Sequence, residues 1–249
     1  DRKIVMRDFV YSLMTDRRSG ALYRPLKAAL YLASLVYGAG IAVRKIFYKT
    51  GVFKADKAPM KVISVGNLTL GGTGKTPFAI RLARILKDEL GKEAAVLIRG
   101  YGWDEQAMLK KNLPETPILV GIDRRKTARR AVKLYGSDTA VLDDGFQHWE
   151  LKRDLDIVLV DSRNPFGNGH LFPRGTLREP KGSAGRADVI VFTKVNKKLF
   201  DIAALKEDLR VSSDGKDFTF LEASHRPKHL YDARTNEVFG LDSVGGKKV

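Results

Sequence analysis

The residues with the most explicit chemistry lie in TLGGTGKT, 69–76. Lysine and threonine behind a glycine cluster form a holder for a nucleoside triphosphate. Glycine backbone N–H groups curl around an anion, the lysine ammonium reaches the outer phosphates, and the threonine hydroxyl is a ligand for magnesium. The whole run, Thr69, Leu70, Gly71, Gly72, Thr73, Gly74, Lys75 and Thr76, is therefore the expected cradle for ATP. Thr69 stands where the general pattern has a glycine. A second feature is the carboxylate pair in TAVLDDGFQH, 139–148. In phosphate-loop enzymes an apolar strand ending in aspartate brings a carboxylate to the magnesium beside the loop threonine. Asp143 and Asp144 are accordingly expected at the reacting centre, with Asp143 and Thr76 on the metal.

Such residues need a scaffold that ends several strands at one edge. KVISVG at 61–66, directly before the glycine cluster, predicts a strand, and PFAIRLARILKDEL at 77–90 has the three-and-four spacing of a helix. Further strands are predicted at 94–102, 117–121, 139–144, 156–161 and 188–194, with helices at 123–136 and 197–209. Alternating strands and helices predict an α/β domain of the P-loop NTPase type, a mostly parallel sheet flanked by helices, with ligands at the carboxyl edge. The helix at 123–136 carries Arg125, Arg129 and Lys133 four apart, which fits either a solvated face or contact with an anion. Residues 162–187 form a long irregular segment containing Arg163, Arg174, Arg178 and Lys181, as expected of a substrate-binding loop. TKVN at 193–196 lies where some GTPases carry a lysine-x-aspartate that reads guanine. Asn196 in place of the acid favours ATP over GTP, or is simply a helix cap.

Composition narrows the partners. The 249 residues suffice for one good core with additions, and 43% hydrophobic content supports folding. Without cysteine there are no disulfides, no thiol catalysis and no cysteine-ligated zinc, which agrees with a cytosolic setting. Four scattered histidines do not suggest a metal cage. A net charge of +16 points to an anionic partner: nucleic acid, phospholipid headgroups or a phosphorylated substrate. Nucleic acid is not expected, because the basic stretches are not interleaved with stacking aromatics and no recognition motif is present. The first 20 residues lack a signal-peptide pattern. Between Lys27 and Arg44 lie sixteen uncharged residues, 28–43, with Tyr31 and Tyr37 and basic residues at both ends. The run is short for a crossing, which needs about 20 residues. It suits a helix lying in the headgroup layer of an anionic membrane, or one packed on the main domain.

Taken together, GNLTLGGTGKTP at 66–77, RGYG at 99–102, DDGFQH at 143–148, FGNG at 166–169 and RGTLREP at 174–180 resemble the tetraacyldisaccharide 4'-kinase family, the lipid A kinases of Gram-negative bacteria. Thr69 fits that family. The resemblance implies transfer of the ATP γ-phosphate to the 4'-hydroxyl of a tetraacyldisaccharide 1-phosphate, with Mg2+, by a peripheral protein at the cytoplasmic face of the inner membrane. It also implies that Lys75 and Thr76 serve the phosphates and metal, that Asp143 and Asp144 belong to the catalytic cluster, and that His148 lies nearby. Asn168, Arg174 and Arg178 are implied as substrate contacts. Asp104 is implied as the base that deprotonates the sugar hydroxyl, with Glu105 towards the metal. The pair follows RGYGW at once, where the family has a longer loop. A further C-terminal segment, carrying a histidine partner for that base, is also implied. The expected organisation is a membrane-associating helical region at 1–58, a P-loop kinase domain at 59–222 and the start of a smaller, apparently incomplete C-terminal region at 223–249. Two rivals carry distinct expectations. A membrane-associated partitioning ATPase typically has lysine where this chain has Leu70, and a nucleic-acid NTPase would bind RNA in a salt-sensitive way.

Overall fold

The computed structural model describes residues 2–100, 103–196, 199–224, 230–232, 234–235 and 237–244. Two helices come first, α1 (Arg2–Met14) and α2 (Arg24–Lys49). The main domain then alternates: β1 (Lys61–Asn67), α3 (Lys75–Arg84), β2 (Ala94–Ile98), α4 (Trp103–Asn112), β3 (Ile118–Val120), α5 (Arg124–Tyr135) and β4 (Thr139–Asp143). β5 (Leu155–Asp161), β6 (Val189–Thr193), α6 (Ile202–Ser212) and β7 (Thr219–Glu222) complete it, and a small antiparallel pair, β8 (Leu230–Tyr231) and β9 (Val238–Phe239), follows.

The seven strands of the main sheet are ordered β3-β2-β4-β1-β5-β6-β7, and every neighbouring pair is parallel. Burial on both faces explains the near-continuous apolar composition of the central strands. Val96, Ile98 and Val141 pack on the face covered by α3, whose Ala79, Ile80 and Ala83 are buried. The alternate residues Ala95, Leu97, Ala140 and Leu142 face α5 through Ala128 and Ala131. A third cluster, with Val158, Val160, Ile190 and Phe192, is covered by Leu209 of α6. α5 starts on an Asp123 cap, whose side chain accepts from the N–H groups of Arg125 and Lys126, and ends on Gly136 in the left-handed conformation.

α2 is longer than the uncharged run alone suggested, because it continues through Arg44 to Lys49. Among the described residues, Ala21–Lys49 is the helical stretch long and apolar enough to cross a membrane by length and composition. Its more covered side carries Lys27, Leu30, Ser34, Gly38, Ile41, Arg44 and Tyr48, polar and apolar residues together. Leu32, Leu35, Val36, Val43 and Ile46 are exposed on the other side. An ordinary surface helix does not leave such an apolar row uncovered.

Candidate active site

Register determines where the chemistry gathers. β1 and β4 pair with Val65 opposite Asp143, so β4 ends beside the strand that leads into the glycine loop. The chain then turns at Asp144, which holds a positive φ of 59°. Gly66 permits this approach, since a Cβ there would lie 2.4 Å from the Cβ of Phe146. Gly74 caps α3 with φ of 87°, a conformation disfavoured for side-chain-bearing residues, and Lys75 and Thr76 form the first helical turn. N–H groups of that turn have no intrahelical acceptor.

The glycine loop is held on both flanks. On one side, residues 176–178 run antiparallel to it: the Leu70 N–H donates to Thr176 O at 2.7 Å and the Arg178 N–H to Leu68 O at 2.7 Å. On the other side, the Thr193 hydroxyl donates to Thr73 O at 2.9 Å. At the end of β1, Asn67 Nδ2 donates to the Thr73 hydroxyl at 3.0 Å. Of the predicted cradle residues, Thr69 and Thr73 are thus buried in the framework and the Leu70 amide is engaged by Thr176.

Three of the four expected catalytic residues, Lys75, Asp143 and Asp144, come together. Lys75 Nζ lies 3.7 Å from Asp144 Oδ1, and Arg178 donates to the same oxygen at 2.6 Å and to Asn67 Oδ1 at 3.2 Å. Burial acts to raise Asp144, but the Arg178 hydrogen bond and the charges of Arg178 and Lys75 outweigh it and hold the carboxyl below its ordinary value. Asp143 is the opposite case. Burial pushes it up to about 6, the Thr76 hydrogen bond and the Lys75 charge offset only part of this, and the charges of Asp144 and Glu105 add to the rise. Its Oδ1 is buried without a hydrogen-bond partner. Glu105, in the first turn of α4, is therefore close enough to be felt at the cluster. Asp104 precedes it in that turn, and its side chain lies outside the described residues.

Beside Asp144 opens a cleft of about 340 Å³ lined by Arg44, Arg99, Arg124, Arg125, Arg178, Asp123, Gln147, His148 and Glu150, among others. Burial, followed by the Arg124 charge, lowers His148 to about 4, so its imidazole is neutral at physiological pH. Arg124 is buried and donates to Gly121 O at 2.7 Å.

The profile of the family described as LpxK, tetraacyldisaccharide-1-P 4'-kinase, matches residues 26–244. The chain belongs to this family. A tetraacyldisaccharide 4'-kinase of Desulfatibacillum aliphaticivorans is 39% identical over 245 residues, covering 89% of this chain and 66% of the relative. One of Syntrophus aciditrophicus (strain SB) is 45% identical over 193 residues, covering 68% of this chain and 51% of the relative. The chain thus spans between half and two thirds of the length of these curated relatives. A solved structure of LpxK from Aquifex aeolicus in complex with ATP superposes with a TM-score of 0.67 at 29% identity, over 90% of this chain and 72% of that one. The fold is therefore the P-loop NTPase-like fold of that family.

Two residues expected at the substrate are engaged elsewhere. Asn168 Nδ2 donates to Met14 O at 2.8 Å and to Asp16 Oδ2 at 2.8 Å, and Arg174 reaches Asp16 Oδ1 at 3.0 Å. Both join the 162–187 loop to the α1–α2 connection, and neither lines the arginine cleft. Arg178, the third, sits in the Asp144 cluster itself. Sequence reading passed over Arg124 and Gln147 as cleft residues and placed Arg44 only at the basic end of the apolar run. Arg125 was placed only on a helix face, where it and Arg129 approach Asp56 at 3.5 and 3.7 Å. A usable signal was the DRR triplet at 123–125, since a cap aspartate turns the next residues toward the carboxyl edge.

Proposed function

We propose that this chain transfers the γ-phosphate of ATP to the 4'-hydroxyl of a tetraacyldisaccharide 1-phosphate in lipid A biosynthesis. The reading is carried by one observation: Lys75, Thr76, Asp143, Asp144 and Arg178 converge at one sheet edge that opens onto an arginine-rich cleft. Family membership supports the choice of acceptor.

Asp143 and Thr76 fit magnesium. A buried carboxylate with an empty oxygen, raised by desolvation and flanked by a hydroxyl, gains from a cation. Among the described residues no group of three histidine, aspartate or glutamate side chains forms a metal cage. Magnesium commonly takes one or two carboxylates, completing its shell with phosphate oxygens and water. When bound, it supplies neutralisation of the negative charge that grows on the phosphoryl oxygens. Lys75 adds a second positive charge, and Arg178 keeps Asp144 ionised and oriented beside it. Catalysis here is positioning and electrostatic stabilisation more than covalent chemistry. In this reading Asp104 takes the proton of the sugar hydroxyl and Glu105 faces the metal. Arg44, Arg99 and Arg124 receive the 1-phosphate near neutral His148, and Asn168 and Arg174 hold the loop in place.

The membrane part rests on this uncovered apolar face. α2 turns Leu32, Leu35, Val36, Val43 and Ile46 outward between basic ends, which suits insertion at an anionic surface on the cytoplasmic face of the inner membrane. Residues 1–58 would then dock and 59–222 catalyse, with 223–249 as a smaller region.

The test is transfer of label from γ-labelled ATP to tetraacyldisaccharide 1-phosphate in detergent micelles. Lys75→Ala is expected to lower transfer about a thousandfold or more with an unchanged circular dichroism spectrum. Equal labelling by both proteins would overturn the assignment.

A further inference from the structure

The glycine loop has little packing of its own. A side chain placed at Gly71 or at Gly72 would meet nothing within 4 Å, so side-chain packing does not fix how their peptide planes are turned, and within the loop the Thr73 N–H donates to Gly71 O at 3.1 Å. Orientation matters because the C=O and N–H of a trans peptide point opposite ways. A plane that flips presents an oxygen, not a hydrogen, to an incoming phosphate. Whatever holds the loop carbonyls outward therefore also aims the following N–H groups.

Two successive carbonyls are held from the end of β6. The Thr193 hydroxyl takes Thr73 O, and Lys194 Nζ donates to Gly72 O. Lys194 has a φ of 55°, an unusual left-handed conformation for a residue other than glycine. Its ammonium is fixed a second time by Asp161 Oδ2 at 2.6 Å. Asp161, at the end of β5, is itself held by Arg163, whose N–H donates to Oδ1 at 3.1 Å. The ammonium and the carboxylate are both mostly shielded from solvent. The arrangement spans the carboxyl ends of three adjacent strands, β1, β5 and β6.

We propose that Lys194, braced by Asp161, is a positioning residue that presets the Gly71–Gly72–Thr73 peptides for the phosphates of the nucleotide. This rests on the ATP-dependent reading given above. It assigns Lys194 a part in nucleotide affinity and none in contact with the lipid acceptor. Losing the brace lets the glycine peptides rotate in the free protein, and the nucleotide must then order them on binding.

The experiment compares the wild-type chain with Lys194→Met, Lys194→Arg and Asp161→Asn. ADP binding with Mg2+ is measured by titration calorimetry, with ATP KM, acceptor KM and kcat alongside. Lys194→Met keeps the alkyl stem and is expected to weaken ADP binding about tenfold or more, raising ATP KM with kcat and acceptor KM nearly unchanged. Lys194→Arg, which can still donate to both partners, should recover most of the affinity. Asp161→Asn should fall in between. Unchanged ADP binding in Lys194→Met, while the wild type binds, would overturn the proposal. So would an equal loss in Lys194→Arg together with a lowered melting temperature, which would indicate generic disruption. Absence of ADP binding by the wild type would instead overturn the ATP-dependent reading itself.

Discussion

Two aspartate clusters in this molecule are built from the same parts and behave in opposite ways. At Asp16 each carboxylate oxygen has donors: Lys27 Nζ at 2.5 Å and Arg174 at 3.0 Å on Oδ1, Asn168 at 2.8 Å and Arg174 at 3.3 Å on Oδ2. Burial opposes the charge there, but these donors outweigh it and hold the carboxyl well below its usual range. At Asp143 the nearest cation, Lys75, is shared with Asp144, one oxygen has no partner, and burial lifts the carboxyl to about 6. A cluster that fastens the chain satisfies every lone pair, whereas one prepared for a ligand leaves a position open at a cost in stability. Asp16 fastens the helical region to the loop that reaches the phosphate loop. Asp143 keeps one buried oxygen unpaired.

The sharpest way to break this contrast is Asp143→Asn. Transfer is expected to fall about a thousandfold, while the protein without nucleotide or metal becomes more stable. The sign follows from linkage. A carboxyl whose folded pKa is raised is protonated in the fold at a pH where the unfolded chain has released its proton, so stability declines as pH rises from about 4 to about 6. The rise from 3.8 to about 6 corresponds to roughly 3 kcal/mol. Denaturant unfolding should show the variant gaining on wild type across that window and keeping its lead above it. A variant less stable than wild type at pH 7 would end the comparison.

Asp16→Ala should do the reverse. It strands Lys27 and Arg174, both largely covered, and is expected to lower stability by about 2 kcal/mol, with turnover per folded molecule within an order of magnitude. Since the folded pKa of Asp16 is depressed, its contribution is complete above the ordinary carboxylate value and disappears as pH falls below about 4. The unfolding midpoints of variant and wild type should converge in acid. A loss of turnover comparable to that of Asp143→Asn would make Asp16 part of the chemistry.

The difference between the clusters also explains what the sequence could disclose. The meeting of Lys75, Thr76, Asp143 and Asp144 at one sheet edge was legible because each is encoded next to its own backbone device: a glycine cluster entering a helix, or an apolar strand ending at the sheet edge. The central strands were equally legible from apolar runs, since burial on both faces leaves little else. Asn168 and Arg174 were not, because their partner Asp16 lies more than 150 residues away in an ordinary polar turn. The family resemblance offered them as substrate contacts, and their hydrogen bonds to Met14 and Asp16 arise only from the packing of the helical region on the loop. Arg124 was missed for a related reason: a buried arginine amid exposed ones in α5 has no local mark. α4 was not expected at all, because WDEQAMLKKN has too weak an amphipathic pattern to stand out.

The finest distinction rests on Arg174→Lys. Arg174 addresses both oxygens of Asp16 with its two terminal nitrogens, at 3.0 and 3.3 Å, so the fork geometry contributes beyond the charge. Lysine keeps the charge but offers a single ammonium, while Lys27 and Asn168 remain in place. The expected loss is about 0.5–1 kcal/mol, which for a chain of this size is a fall in Tm of about 1–4 °C, with transfer unaltered. Because Asp16 still has other donors, its carboxyl stays ionised and the acid limb of the stability curve keeps its position. A fall as large as that of Asp16→Ala would mean that the guanidinium fork, not the number of donors, decides whether such a cluster fastens the chain.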